Sequence, residues 1–370
     1  MPIIDAITMR EVALPLKTPF VTGVGRVDVR RVIIVEARCQ GLVGYGEASP
    51  LSDPYYTEET TETAWHVLES FLIPRVLGKT WRTPFDVAAM LAPVRRHFMA
   101  KAGLEGAAWD LYARSQGISL AKVLGGVATS VPAGISIGIP GDLETLALQV
   151  EKALKAGYAR VKIKIKPGWD IEPVRRLRER LGNFPLMVDA NSAYTLADTD
   201  HLRRLDEFDL LMIEQPLAWD DLFQHAQLQA ALKTPICLDE SITSLAAARL
   251  ALELGSCRVI NIKPGRVGGL SEAVRIHDFC RSKEVPVWCG GMLESGIGRA
   301  HNLALASLPG FTLPGDLSPS DRYFEREIVK PPITLLPSGR LPVPDGPGIG
   351  VEVDVQEVER RTVRLRSFHA

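Results

Sequence analysis

Residues 160–165 read RVKIKI, 186–189 LMVD, 210–214 LLMIE, 236–239 ICLD and 259–263 VINIK. Each is a short apolar run with a charge at or near its end. Lys164, Asp189, Glu214, Asp239 and Lys263 follow one another at 25, 25, 25 and 24 residues. Between them apolar residues recur at helical spacing, over Pro173 to Leu181, Ala197 to Phe208, Leu222 to Leu232 and Leu245 to Leu254. Strands alternating with amphipathic helices predict parallel strands joined by helical crossovers. Outward from this centre the pattern adds Val131 to Gly138, the helix Leu270 to Ser282, Val285 to Cys289, and a poorer strand near Phe311 to Gly315. Eight units suggest a closed barrel.

The flanks read differently. Arg31 to Glu36 (RVIIVE) resembles a strand that turns through Cys39-Gln40-Gly41 into LVGYGE, Leu42 to Glu47. Helical periodicity covers Thr57 to Leu77, with Pro74 as a break, and Ala100 to Arg114. Two stretches read as ordered loops: Thr18 to Val29, containing Gly23-Val24-Gly25, and Ser49 to Thr57, containing Pro54-Tyr55-Tyr56. After the barrel, residues 331–347 are rich in Pro and Gly, and Val351 to Val355 alternates as an edge strand does. The expected organisation is an α+β capping domain (1–125), a barrel (126–320) and a C-terminal segment (321–370) that returns to the cap.

At 370 residues, 46% hydrophobic and 24% charged, the chain is long enough for two lobes and unlike disordered, collagenous or coiled-coil sequences. Its net charge of -1 offers no global field for nucleic acid or an anionic membrane. Cys39, Cys237, Cys257, Cys280 and Cys289 lack Cys-x-x-Cys spacing and read as reduced thiols. With no signal-like or membrane-spanning run, a cytoplasmic enzyme is expected.

The chemistry follows from where the charges stand. C-terminal strand ends open onto the loops that build barrel active sites, so the five charges converge there. One at a time they have plainer readings, since Asp after a strand caps helices and Lys lies in solvent; five in phase are harder to dismiss. Three carboxylates without an imidazole at a strand end favour a hard cation, Mg²⁺ first and Mn²⁺ as a substitute. Asn191 and Glu240 stand beside the ligands as supporting groups, or as turn and cap residues. Lys162 and Lys164 share one strand face, where repulsion and desolvation are expected to lower an ammonium pKa and create a base; Lys166 reads as solvated. Lys263 approaches from strand six, across the barrel. His301 reads equally as a packing or capping residue. Gly290-Gly291 reads as backbone packed against substrate, or less readily as a phosphate loop. A Schiff-base enzyme using Lys164 or Lys263 and a non-catalytic metal- or solute-binding protein are the rivals from other classes.

VKIKIKPGWD from Val161, VDANSAYTL from Val188, IEQPLAWDDL from Ile213, PICLDES from Pro235, INIKPGRVGG from Ile260 and PVWCGGMLESGIGRAHN from Pro286 resemble the enolase superfamily. Within its muconate-lactonising subgroup they are most similar to the o-succinylbenzoate synthase / N-succinylamino acid (N-acylamino acid) racemase family. The resemblance spans nearly the whole chain, including LPVPDGPGIGV from Leu341. It implies an α/β fold, a modified TIM barrel (β/α)₇β with a cap from both termini. It further implies Mg²⁺ held by Asp189, Glu214 and Asp239, and Lys164 and Lys263 as an acid/base pair, chemistry of the kind known for enolase-superfamily sites. Phe20, Tyr55, Ser136, Gly291, Met292 and Glu294 are the implied substrate contacts, a small carboxylate the implied partner, and a homo-oligomer the implied assembly. Dipeptide epimerase and muconate cycloisomerase share the catalytic set. Gly23-Val24-Gly25 replaces a Ser-Phe-Gly of relatives, which puts side-chain preference in doubt.

Overall fold

The computed structural model describes residues 3–21 and 26–370, so Gly23-Val24-Gly25 lies outside the described residues. The cap is built on a four-stranded antiparallel sheet in the order Thr362–His369, Ala6–Val21, Arg26–Cys39, Leu42–Ala48. The VIIV core of RVIIVE, residues 32–35, is continuously apolar because both of its faces are covered. Ile33 and Val35 pack with Trp65, Leu68, Leu72 and Leu104, whereas Val32 and Ile34 belong to the cluster that includes the barrel. The expected helix Thr57 to Leu77 begins at Thr61, where Thr60 and Thr63 form a capping box. It carries a π turn at Leu68–Leu72. Pro74 cannot donate to the carbonyl four residues back, and the ladder widens just before it, with the Ile73 N–H bonding Leu68 O.

The tail corrects one expectation. Of Val351 to Val355, Glu352–Val353 is a strand, but it pairs with Val329–Lys330 and not with the cap sheet. The returning strand is Thr362–His369, which pairs with Ala6–Val12. Its outer face carries Val363 and Leu365, exposed, while Arg364 bonds Glu11 and stacks 4.1 Å over Trp65.

In the barrel, seven parallel strands follow chain order: Gly134–Ile137, Arg160–Lys164, Leu186–Asp189, Ile213–Glu214, Ile236–Leu238, Val259–Ile262 and Val287–Cys289. Register aligns Lys164 with Asp189 and Asp189 with Glu214; Glu214 stands opposite Cys237, so Asp239 faces the same way one layer higher. The eighth position is irregular. Phe311 bridges to Val287 and Gly315 to Ala133, which closes the ring without a regular strand. Below the charges, Met187, Met212, Cys237, Val259 and Trp288 pack with Leu313 into a separate apolar cluster.

Some predicted elements are cut short. Val131 to Gly138 splits into Ser130–Pro132, antiparallel to Arg340–Pro342, and the first barrel strand; Pro132 has no N–H to continue a ladder. Leu210 to Glu214 shrinks to Ile213–Glu214, and Ala197 to Phe208 becomes a short α-helix flanked by 3₁₀ turns.

Candidate active site

Barrel strand two buries every residue of RVKIK. Alternation sends Val161 and Ile163 to the helical layer and Arg160, Lys162 and Lys164 inward. Gly134 makes room for the first of these, since a β-carbon there would lie 2.6 Å from Arg160 Cζ. Lys164 Nζ donates to Asp189 Oδ2 at 2.6 Å and to Asn191 Oδ1 at 2.6 Å. Asn191 in turn donates to Glu240 at 3.0 Å. Lys162, for which solvation was one reading, is buried; its Nζ lies 2.7 Å from Glu214, 3.2 Å from Asp189 and 2.5 Å from Asp316. Lys166 is exposed.

Across the ring, Lys263 Nζ donates to Asp239 Oδ2 at 2.8 Å and to the Tyr56 hydroxyl at 2.8 Å, and stands 4.5 Å over the Tyr56 ring. The Tyr56 hydroxyl donates to Asp239 at 3.1 Å. Arg266 also bonds Asp239, and Asn261 donates to Glu214 at 2.9 Å and to Asp239 at 3.1 Å. Gly290 packs close: a β-carbon would lie 2.6 Å from Lys263 Cε and clash with Asn261. Its N–H is spent on Ile262 O at 3.0 Å and is not free to bind a phosphate.

The ammonium pKa values run against the sequence expectation. Burial alone would lower that of Lys162, but Asp316, Glu214 and Asp189 outweigh burial and raise it. Lys263 is likewise raised, by Tyr56, Glu214 and Glu240 against the same burial. The two strand-two lysines thus have anions between them. Asp189 is held well below the carboxylate range despite burial, by Lys164 and Lys162, whereas burial and the nearby Asp189 push Glu214 and Glu240 up.

These groups open on a cavity of about 210 Å³ between barrel and cap. Lys162, Lys164, Asp189, Asn191, Asp239 and Lys263 line it, as do Phe20, Tyr55, Ser136, Gly291, Met292 and Glu294. Glu214 lies beneath the surface and Glu240 lines a second cavity beyond Tyr56. Tyr55 is 66% exposed, at the mouth. Glu294 braces the loop that carries Met292 by accepting from the Met292 N–H at 2.8 Å and from Asn302 at 2.9 Å. His301 is a packing residue, bonding Ile297 O at 2.9 Å and, across the interface, Gly106 O at 3.0 Å.

Residues 4–125 match the N-terminal domain of the mandelate racemase / muconate lactonizing enzyme family, and residues 145–358 match the enolase C-terminal domain-like family. The chain belongs to the enolase superfamily. It is 51% identical to an o-succinylbenzoate synthase of Geobacillus kaustophilus, over 99% of this chain and 98% of that one. It is 48% identical to an N-succinylamino acid racemase of Thermus thermophilus, over 99% of both. A crystal structure of an enolase superfamily member from Listeria innocua superposes with a TM-score of 0.97 at 41% identity, covering all of both chains.

Sequence reasoning missed four groups that this superfamily member brings into the network, Arg160, Asn261, Arg266 and Asp316, and read Tyr56 only as part of an ordered loop. Arg160 was readable from alternation, two residues before Lys162. Asp316 continues the strand interval through Cys289, by 26 and then 27 residues. Tyr56 and Arg266 had no such signal, since each reaches Asp239 from outside its strand. Among the described residues, no three Asp, Glu, His or Cys side chains converge at ligating distance on one point. Lys162 lies between Glu214 and Asp189, and Lys263 and Arg266 occupy Asp239. The donor chemistry nevertheless fits a hard divalent cation: buried carboxylates on adjacent strands, with neither thiolate nor imidazole among them.

Proposed function

We propose that this chain removes the α-proton of a small carboxylate substrate, racemising N-succinyl or other N-acyl amino acids and dehydrating the o-succinylbenzoate precursor. Lys164 and Lys263 are the acid and base on opposite faces of the α-carbon, and Asp189, Glu214 and Asp239 are the ligands of Mg²⁺, with Mn²⁺ as a substitute. The observation that carries this reading is the convergence of two lysines, from strands two and six, on one cavity that Asp189 and Asp239 also line, with Glu214 buried beneath it. The similarity to both named relatives over nearly full length supports the two reactions together.

When bound, Mg²⁺ would stabilise the charge that develops on the substrate carboxylate and offset the acids that hold Lys162 and Lys263 as ammoniums. One lysine takes the α-proton. If the other returns a proton to the opposite face, the stereocentre inverts; if instead the β-hydroxyl departs with its bonding pair and takes a proton from a lysine ammonium to leave as water, the product is an alkene. Asn191, bonded to Lys164, and Tyr56, bonded to Lys263, hold the two lysine side chains in place. Phe20, Leu51 and Tyr55 place the cap over the cavity and screen it from water.

The test is exchange in D₂O. Deuterium is expected at Cα of N-succinyl amino acids with wild type and chelation is expected to stop it, while Lys164→Ala and Lys263→Ala each abolish racemisation. A lysine variant that racemises at the wild-type rate, or full activity after exhaustive chelation, refutes the corresponding role.

A further inference from the structure

Three carboxylates share the Lys162 ammonium, and they are not equivalent. Glu214 and Asp189 are ligands in the proposed metal site; Asp316 is not. It stands in the irregular segment that closes the barrel, and lines the same cavity as Lys162. Asp316 is fixed from several sides. Its Oδ1 accepts from Arg160 Nη1 at 2.7 Å, its Oδ2 lies 2.5 Å from Lys162 Nζ, and its own N–H donates to Cys289 O at 3.0 Å. Arg160 is itself immobilised, donating to Pro314 O at 2.8 Å and stacking 5.0 Å over Trp288.

We propose that Asp316 is a positioning residue: it holds Lys162 at the cavity wall, facing the substrate, while a divalent cation takes Glu214 and Asp189. This rests on the metal ligation proposed above. A buried ammonium stripped of its anions costs several kcal/mol. Without Asp316, the remaining anionic partners of Lys162 are two metal ligands, so ammonium and cation compete for the same oxygens. With Asp316, Lys162 keeps a counter-ion whichever way those oxygens turn. Asp316 therefore acts on the metal through Lys162, and that dependence separates this role from general electrostatics or from closing the barrel.

The experiment is a double-mutant cycle read by calorimetric titration of Mn²⁺ into chelator-treated protein: wild type, Asp316→Asn, Lys162→Met and the double variant. Asp316→Asn is expected to weaken Mn²⁺ binding at least about tenfold when Lys162 is present, and by less than about threefold in the Lys162→Met background. Asp316→Glu, which keeps the charge, is expected to bind within about threefold of wild type, and serves if the Asn variant does not fold. Equal weakening in both backgrounds, unchanged binding by Asp316→Asn, or a tenfold loss in Asp316→Glu overturns the proposal. Those results in a protein whose wild type binds Mn²⁺ and exchanges the α-proton count against this inference alone; a wild type that binds no divalent cation overturns the metal site as well.

Discussion

Replacing Glu105 by Gln is expected to stabilise the protein at alkaline pH and to do little at acid pH. Glu105 lies on the cap helix Phe98–Ser115 and reaches the start of the barrel helix Leu270–Ser282. One carboxylate oxygen accepts from the Ser271 N–H at 3.0 Å and from Trp109 Nε1 at 3.2 Å; the other is buried with no hydrogen-bond partner among the described residues. Burial pushes the carboxyl up from 4.5 to about 7, against the bonds from Ser271 and Trp109. A folded value above the ordinary one means that this group favours folding below about pH 4.5 and loses that contribution as pH rises through about 7. Integrating between those two values gives a cost of about 3 kcal/mol at pH 8 and about 1 kcal/mol at pH 5.

Glutamine keeps the accepting oxygen, has similar volume and carries no charge. The variant should therefore gain about 2 kcal/mol more at pH 8 than at pH 5. Glu47 and Glu59 are also pushed to about 7 by burial, so the wild-type slope alone does not isolate one residue; the difference between wild type and variant does. Urea unfolding followed by tryptophan fluorescence at both pH values measures it. A variant less stable than wild type at pH 8, or one whose stability difference is the same at the two pH values, refutes the reasoning.

Gly290→Ala is expected to lower kcat by roughly tenfold to a hundredfold, because the added carbon presses on the Lys263 stem and misplaces one of the two proposed bases. Steady-state rates for the two substrate enantiomers check it, and the enantiomer that gives its proton to Lys263 should suffer more. Tyr56→Phe retains the ring under Lys263 and loses the hydroxyl, whereas Tyr56→Leu loses both. The Leu variant should exchange the α-proton at least about tenfold more slowly than the Phe variant, given ~2 kcal/mol for a desolvated cation–π contact; equal rates would remove the ring from the account.

Period and phase account for what the sequence disclosed of this site. Strand two shows its alternation as RVKIK, and a repeat of about 25 residues reflects one strand and one helix per unit. Lys164, Asp189 and Glu214 were therefore legible as a row before any coordinates. Closure was legible only in outline: eight units and a poorer strand near Phe311 to Gly315 were expected, and that segment does close the ring, but through single bridges at Phe311 and Gly315 that leave little hydrophobic rhythm. Thr362–His369 does alternate, as TVRLRSFH, yet Val363 and Leu365 face outward, only Phe368 packs on the cap core, and its arginines meet cap acids, so amphipathicity gave no guide to its partner. The pKa direction expected for Lys162 failed for a related reason. Its neighbour in sequence is Lys164, but the carboxylates that raise its pKa come from other strands and from Asp316.

Those added groups also change the electrostatic character of the site. Three strand-end acids and two lysines alone would leave a net negative mouth that attracts a cation. The network in the structure contains Asp189, Glu214, Asp239, Glu240 and Asp316 against Arg160, Lys162, Lys164, Lys263 and Arg266, a formally balanced buried set. On the proposed reading, a divalent cation entering alone adds two uncompensated charges to a desolvated space, and so does a dianionic substrate entering alone. Together they restore the balance. Metal and a dicarboxylate such as an N-succinyl amino acid should therefore each tighten the binding of the other, by the same factor in both directions. On this reading the substrate raises an affinity for the cation that the protein already has without it.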